Sequence, residues 1–176
     1  MEAITNIPMS GLGVATQTFV GQNYGAKQYG RIIRSVKKIF FLDLIVSVLM
    51  SAILYTISEP IVSLFLTEES PEIMAAANRY ILAIAQCYSL VAILFVMRNT
   101  LQGLGFTYAN SVAGIGEFFG RLSVAFVLTP VLGFDAICYA GPAAWLLADI
   151  PLIVIYLFKY KRFKKLSQEQ RECVEC

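Results

Sequence analysis

Glu117 and Arg121 stand four residues apart in an otherwise apolar stretch, with the acid amino-terminal to the base. On a helix that spacing puts both on one face, in the favourable order for an intrahelical ion pair. An ionisable residue inside a segment of membrane-spanning length is costly, so it marks either ion coupling or a structural pair that pins its helix in a bundle. Small residues, Ala113, Gly114 and Gly120, flank the charged face, while Ile115, Phe118, Phe119, Leu122 and Phe126 crowd the others. Asp149 is a further candidate. It lies two residues before Pro151, whose missing N–H bends a helix and leaves a carbonyl unpaired. A carboxylate beside such carbonyls suits cation ligation, or it is capped by a neighbouring hydroxyl. Asp43, five residues past Lys38, reads as a surface ion pair within snorkelling reach of the interface. Thr5, Asn6, Ser10 and Gln17 share one uncharged segment, Ala3 to Ala26, and as a group they fit a cavity wall.

Other chemistries are absent from the pattern. There is no histidine, no Ser/His/Asp set and no G-x-x-x-x-G-K-[ST] phosphate loop, so an enzyme or an ATP-driven machine is not expected. Cys173 and Cys176 have the spacing of half a zinc or redox site without a second pair, and read as a reduced tail with no metal. The basic residues flank apolar segments, which speaks against nucleic acid as a partner.

The elements that must position these groups are transmembrane helices. Of 176 residues, 57 % are hydrophobic and 15 % charged, against roughly a quarter charged in soluble domains. The mean hydropathy is +0.67. The fold class expected is therefore all-α, a polytopic membrane bundle of about five spans, over about 3–22, 36–58, 73–101, 110–132 and 136–159. Residues 1–165 make up the helical part and 166–176 a polar tail. Glu59-Pro60 is expected to break the second helix, with Ile61 to Leu66 as an interfacial turn, because the residue before proline is pushed out of helical geometry. The eighteen uncharged residues Tyr80 to Met97, between Arg79 and Arg98, mark the third span, and Gly133 stops the fourth.

Of fourteen Lys and Arg, five lie between Lys27 and Lys38 and six between Lys159 and Arg171. The positive-inside rule puts both groups, with the 98–110 loop and Arg98, in the cytoplasm, leaving the acidic 58–78 linker and the 133–136 turn outside. The carboxyl terminus is then cytoplasmic. Arg31, Arg34 and Lys38 share a face suited to an anionic leaflet. Gly21, Gln22, Asn23, Gly25 and Ala26 read as a helix end that uses glycine and asparagine where positive φ is tolerated.

Phe19-Val20-Gly21-Gln22-Asn23-Tyr24-Gly25-Ala26, followed by Gly30-Arg31, closely resembles the turn after the second helix of a lobe in the multidrug and toxic-compound extrusion (MATE) family. Leu101-Gln102-Gly103-Leu104-Gly105-Phe106-Thr107 and Gly114-Ile115-Gly116-Glu117 with Arg121 continue the resemblance in family order. It implies most of a six-helix carboxy-terminal lobe lacking its first helix, so that an amino-terminal lobe is an expected partner and the chain a fragment. The implied activity is secondary active efflux of amphipathic, often cationic small molecules against Na+ or H+, in the plasma membrane, here a bacterial inner membrane. No cofactor beyond the coupling ion is implied. The aspartate that sodium-coupled relatives carry before the Leu-Gln-Gly motif is replaced here by the stretch Val91, Ala92, Ile93, which leaves the ion open. Two rival readings stand beside it. One is a lipid-linked saccharide flippase of the same superfamily, with Arg98 and Arg121 on pyrophosphate; the other is a non-transporting membrane scaffold.

Overall fold

A computed structural model describes residues 5–65 and 71–175; the side chains of 61, 64, 65 and 171–175 lie outside the described set. Leu66, the end of the expected interfacial turn, and Cys176 lie outside the described residues, as does the side chain of Cys173. Helix α1 spans Ile7–Gly25, α2 Tyr29–Phe65, α3 Pro71–Gln86, α4 Tyr88–Gly103 and α5 Tyr108–Ser123. A π-helical turn, Val124–Leu128, leads into α6 Thr129–Leu132, followed by α7 Phe134–Cys138 and α8 Ala140–Glu175.

Among the described residues, three stretches are long and apolar enough to cross a membrane: Tyr29–Pro60, Tyr108–Leu132 and Ala140–Gln170. The bent pair α3 and α4 has the length and hydropathy of a fourth if the two are taken together as one broken span. Helix α1, at 19 residues, has the length of a span, but Thr16, Gln17, Thr18, Gln22 and Asn23 lower its hydropathy, so it is absent from that set. It buries one stripe in the bundle and leaves its other faces exposed, Ile7, Val14 and Phe19 among them. Met9, Gly13, Thr16, Val20 and Asn23 are its buried residues, spaced by four and three, and this stripe packs against α4.

Helix α4 is the axis of the bundle and is buried on nearly every face. Small residues set its distance from α1. A Cβ at Gly103 would stand 2.5 Å from the Gln17 carbonyl oxygen, and one at Gly13 would stand 2.5 Å from Asn99 Nδ2. A second seam joins α5 to α8. A Cβ at Gly120 would meet Ala144 Cα at 2.5 Å, and one at Gly116 would meet the Leu147 carbonyl oxygen at 2.8 Å and Ala148 Cα at 3.0 Å. Lipid does not drive apolar helices together, so close backbone approach at small residues is what holds such a pair. Bulky Ile115, Phe118, Phe119, Leu122 and Phe126 are exposed on the other faces of this helix and the turn that follows it, as expected for surfaces turned to lipid.

Several boundaries differ from the sequence expectations. Pro60 does not end α2, which continues to Phe65, so Ile61 to Phe65 are helical rather than an interfacial turn. Only a short segment follows the proline, and Ser63 Oγ donates to the Pro60 carbonyl at 2.9 Å. The expected third span is broken at Cys87, with α3 and α4 bent by 51°. Ser51 Oγ of α2 donates to the Ala85 carbonyl at 2.7 Å beside the break, supplying a partner where the helical ladder is interrupted. Before Pro130 the chain winds into the π turn, with Thr129 Oγ1 bonded to the Val124 carbonyl at 3.0 Å; a wider turn relieves the clash that proline makes with the carbonyl four residues back. Helix α8 does not stop at 159, but runs on as the expected tail to Glu175.

The glycine-rich elbow after α1 also differs from its expectation. Positive φ falls on Lys27 (56°), not on Gly25 or Asn23. The Gln28 amide donates to the Asn23 carbonyl at 2.8 Å and the Lys27 amide to the Tyr24 carbonyl at 3.0 Å, the paired bonds of a Schellman cap. Helix α4 ends the same way, with Gly105 at φ +85°, Phe106 N–H to the Leu101 carbonyl and Gly105 N–H to the Gln102 carbonyl, both at 2.9 Å. The α8 extension closes over the elbow. Phe163 stacks on Tyr29 with centroids 5.3 Å apart, and Gln170 Nε2 donates to the Lys27 carbonyl at 2.9 Å. Lys159 sits 4.0 Å above the Phe106 ring. The two basic clusters thus share one end of the bundle, and the Arg79–Asp135 bridge of 3.3 Å lies between α3 and α7.

Replacing Gly120 with leucine is expected to force α5 off α8 at a cost of about 1–3 kcal/mol. Gly114→Leu, where nothing lies within 4 Å, is the matched control. Thermal unfolding in detergent should show a lower midpoint for the first and an unchanged one for the second.

Candidate functional site

The turn capped by Gly105 folds α5 back along α4, which brings residues a few turns from the loop on each side together. Arg98 on α4 donates from Nη2 to Glu117 Oε1 on α5. Both side chains are 26 % exposed, so the pair is screened by the bundle but not sealed. The expected Glu117–Arg121 pairing is not the one formed: Glu117 turns to Arg98, and Arg121, one helical turn on, is exposed. Across a helix–helix interface a guanidinium already held by packing loses less freedom than a long side chain arching along its own helix. Nor is Arg98 in a loop. It lies inside α4, five residues before its end.

The Gly116–Gly120 and Ala144–Ala148 seam brings α8 against the same group. Asp149, next to Ala148, is 2 % exposed and within electrostatic reach of both Arg98 and Glu117. Neither of its oxygens has a hydrogen-bond partner, and Arg98 Nε is buried without one as well. The hydroxyl cap considered for Asp149 is thus not formed. Pro151 does not break α8, but it offers no N–H to the Leu147 carbonyl, which faces Gly116 across the seam. One guanidinium therefore stands among two carboxylates, with a loosened carbonyl nearby. The group is one positive charge short of balance and could accept a proton or a cation.

Asp43 is not the surface ion pair expected from Lys38. It is 0 % exposed, with both oxygens unpartnered. Helix α2 continues without a turn from the basic segment, so the inner face that buries Ile32 and Val36 carries Asp43 inward as well.

The neutral polar residues of α1 are only partly gathered. Tyr88 Oη lies 2.7 Å from Asn6 Oδ1 and 2.5 Å from Thr5 Oγ1, tying the start of α1 to the start of α4. Ser10 Oγ donates to its own helix, at the Ile7 carbonyl, and Gln17 is half-buried beside Gly103. Thr100, fully buried on α4 with an unpartnered hydroxyl, and Asn110 on α5 were not singled out in the sequence. Arg98 carried the available signal, since it follows eighteen uncharged residues with no proline or glycine before Gly103. A separate cavity of about 410 Å³ between α3 and α7 is lined by Arg79, Gln86, Asp135 and Tyr139 among others, and includes none of the coupling candidates.

Residues 1–127 match a known family model, MatE. The chain belongs to the MatE family. It is 26 % identical over 159 residues to the probable multidrug resistance protein YoeA of Bacillus subtilis, covering 89 % of this chain and 34 % of that protein. It is 30 % identical over 120 residues to the multidrug resistance protein PmpM of Pseudomonas aeruginosa, covering 68 % of this chain and 25 % of PmpM. The MatE chain described here thus spans about a third or less of the length of these relatives. No solved structure matches it. Membership makes it a multi-pass membrane protein of a transporter family.

A double-mutant cycle over Arg98→Gln and Glu117→Gln should give a coupling energy of about 1–3 kcal/mol in detergent unfolding. The cycle over Arg121→Gln and Glu117→Gln should give about zero, as expected for an exposed arginine.

Proposed function

We propose that the chain forms part of one lobe of a secondary active efflux transporter, which exchanges amphipathic, often cationic compounds for a proton or a sodium ion. The observation that carries this reading is the charge balance at Asp149: a buried, unpartnered carboxylate within reach of an Arg98–Glu117 pair whose charges already cancel. An incoming cation supplies the missing charge. Arg98 is the movable element, since its free Nε and the neighbouring Asp149 provide an alternative partner once Glu117 is protonated. Binding between two pseudo-symmetric lobes near the midplane is the general arrangement of secondary transporters. The small share of its relatives that this chain covers supports a second lobe as the partner that completes the cavity. The names of those relatives, both multidrug resistance proteins, support drug-like substrates. The flippase reading is weakened because Arg98, one of its two pyrophosphate candidates, is engaged by Glu117.

In the complete polypeptide, Asp149→Asn and Glu117→Gln should each abolish gradient-driven export of a fluorescent cationic dye from vesicles while membrane expression stays within about twofold of the native protein. Glutamine and asparagine keep the size and hydrogen bonding but remove the titratable charge. If Glu117→Gln with Arg98→Gln restores both stability and export, the pair is structural and the coupling role of Glu117 fails.

The proposed orientation puts the carboxyl terminus in the cytoplasm. Reporters fused after Lys38 and after Lys165 should be cytoplasmic, and one near Glu72 should be external. A cytosolic Glu72 fusion would overturn it.

A further inference from the structure

The inner face of α2 buries Ile32, Val36, Asp43, Ser47, Leu54 and Ser58, and Asp43 is its one charged member. The carboxylate is 0 % exposed and neither oxygen is bonded. Ser47, one turn further on, spends its hydroxyl on the Leu44 carbonyl at 2.8 Å, so α2 offers Asp43 no donor there. The helices packed against α2 are α1, α3, α4 and α8. Helix α1 carries no charged residue. The ionisable groups of the others are Glu72, Arg79 and Tyr80 on α3, Tyr88 and Arg98 on α4, and on α8 Asp149 and Tyr156, followed by the charged run that starts at Lys159. None of them is hydrogen-bonded to either Asp43 oxygen. Arg98 is committed to Glu117 instead.

An ionised carboxylate cannot be held in such a place without a partner; it takes up a proton or a cation. A metal cation requires a shell of several oxygen ligands, whereas a proton requires one oxygen and no shell. We propose that Asp43 is a second proton site of the bundle, distinct from the Arg98–Glu117–Asp149 group, and carries its proton as the free acid on the inner face of α2. Its effect reaches the broken helix. Two turns further along α2, Ser51 holds the Ala85 carbonyl at the bend between α3 and α4. Loss of the proton puts a charge on the face that seats α2 there, and its return restores the seat.

The test uses membranes holding the complete native polypeptide, treated with dicyclohexylcarbodiimide and read by peptide mass spectrometry. This apolar reagent adds the O–H of a protonated, membrane-buried carboxylic acid across one C=N bond, and the acyl group then migrates to nitrogen, so every atom of both reactants stays in the adduct. The expected result is an adduct at Asp43 in acidic buffer, equal in sodium chloride and choline chloride and lost in alkaline buffer. No adduct in acidic buffer overturns the proposal. Protection by sodium overturns it too, by making the site one for a metal cation.

A second measurement is the pH dependence of unfolding in detergent. An acid kept protonated in the folded state binds more protons there than in the unfolded chain, so its contribution is lost as pH rises. Asp43→Asn, neutral and of the same shape, is expected to insert normally and to lose less stability than the native protein between acidic and alkaline buffer. Equal losses overturn the proposal. Both readouts are independent of Glu117 and Asp149, so a failure of the coupling reading leaves them unaffected.

Discussion

The close contact of α5 and α8 at Gly116, Gly120, Ala144 and Ala148 is the constraint on which the charged interior depends. No side chain separates the two backbones there. Residues beside the seam have little freedom: Glu117, next to Gly116, is directed toward α4, and Asp149, next to Ala148, is sealed from solvent. A single added methyl group at Gly120 would meet Ala144 Cα at 2.5 Å, so the distances within the ionic group are set by the absence of side chains nearby. The Leu147 carbonyl, which Pro151 leaves without its helical donor, lies within this contact and against a glycine.

Helix α4 converts these local contacts into a bundle. Small residues bring it against α1, Ser51 of α2 secures the bend at its start, and Arg98 ties it to α5. In lipid, each polar group must find its partner inside the protein, and most do so through short local bonds: Thr16 to the Leu12 carbonyl, Asn23 to Phe19, Asn99 to Phe95. Against that background the exceptions stand out. Asp43 and Asp149 are buried, carry ionisable groups and have no local bond. Stability alone does not select such residues, because a buried carboxylate without a partner costs free energy. Their presence in the interior of a MatE-family chain fits a protein that exchanges charge with its surroundings.

At the opposite end from the Arg79–Asp135 bridge, the α8 extension packs across the elbow after α1 through Phe163, Tyr29 and Gln170. Two Schellman caps, one at Lys27 and one at Gly105, close α1 and α4 side by side, with the Gly103 carbonyl 3.4 Å from where a Cβ of Gly21 would stand. The glycine-rich motifs that carry the family resemblance are therefore mechanical: they end helices and allow close backbone approach. The ionic group, by contrast, uses residues one helix apart in space and nineteen to fifty-one positions apart in the chain.

The sequence by itself determined the solvent and the class. Long apolar runs interrupted by few charges require helices in a bilayer, the two segments that hold eleven of the fourteen basic residues mark one end, and the elbow, Leu-Gln-Gly and Glu117 motifs indicate the family. Bulky residues on one face of α5 and small ones on the other were legible for the same reason, since a helical period of 3.6 fixes which residues share a face. What tertiary structure decided was partnership. Glu117 pairs with Arg98 rather than Arg121, because the partner stands on a neighbouring helix whose closeness only the fold decides. Asp43 is buried instead of surface-paired, because burial depends on which neighbours cover a face and not on distance in sequence from Lys38. The bend at Cys87 is likewise accompanied by a contact from outside the local segment, Ser51 at the Ala85 carbonyl, which no reading of the local sequence contains.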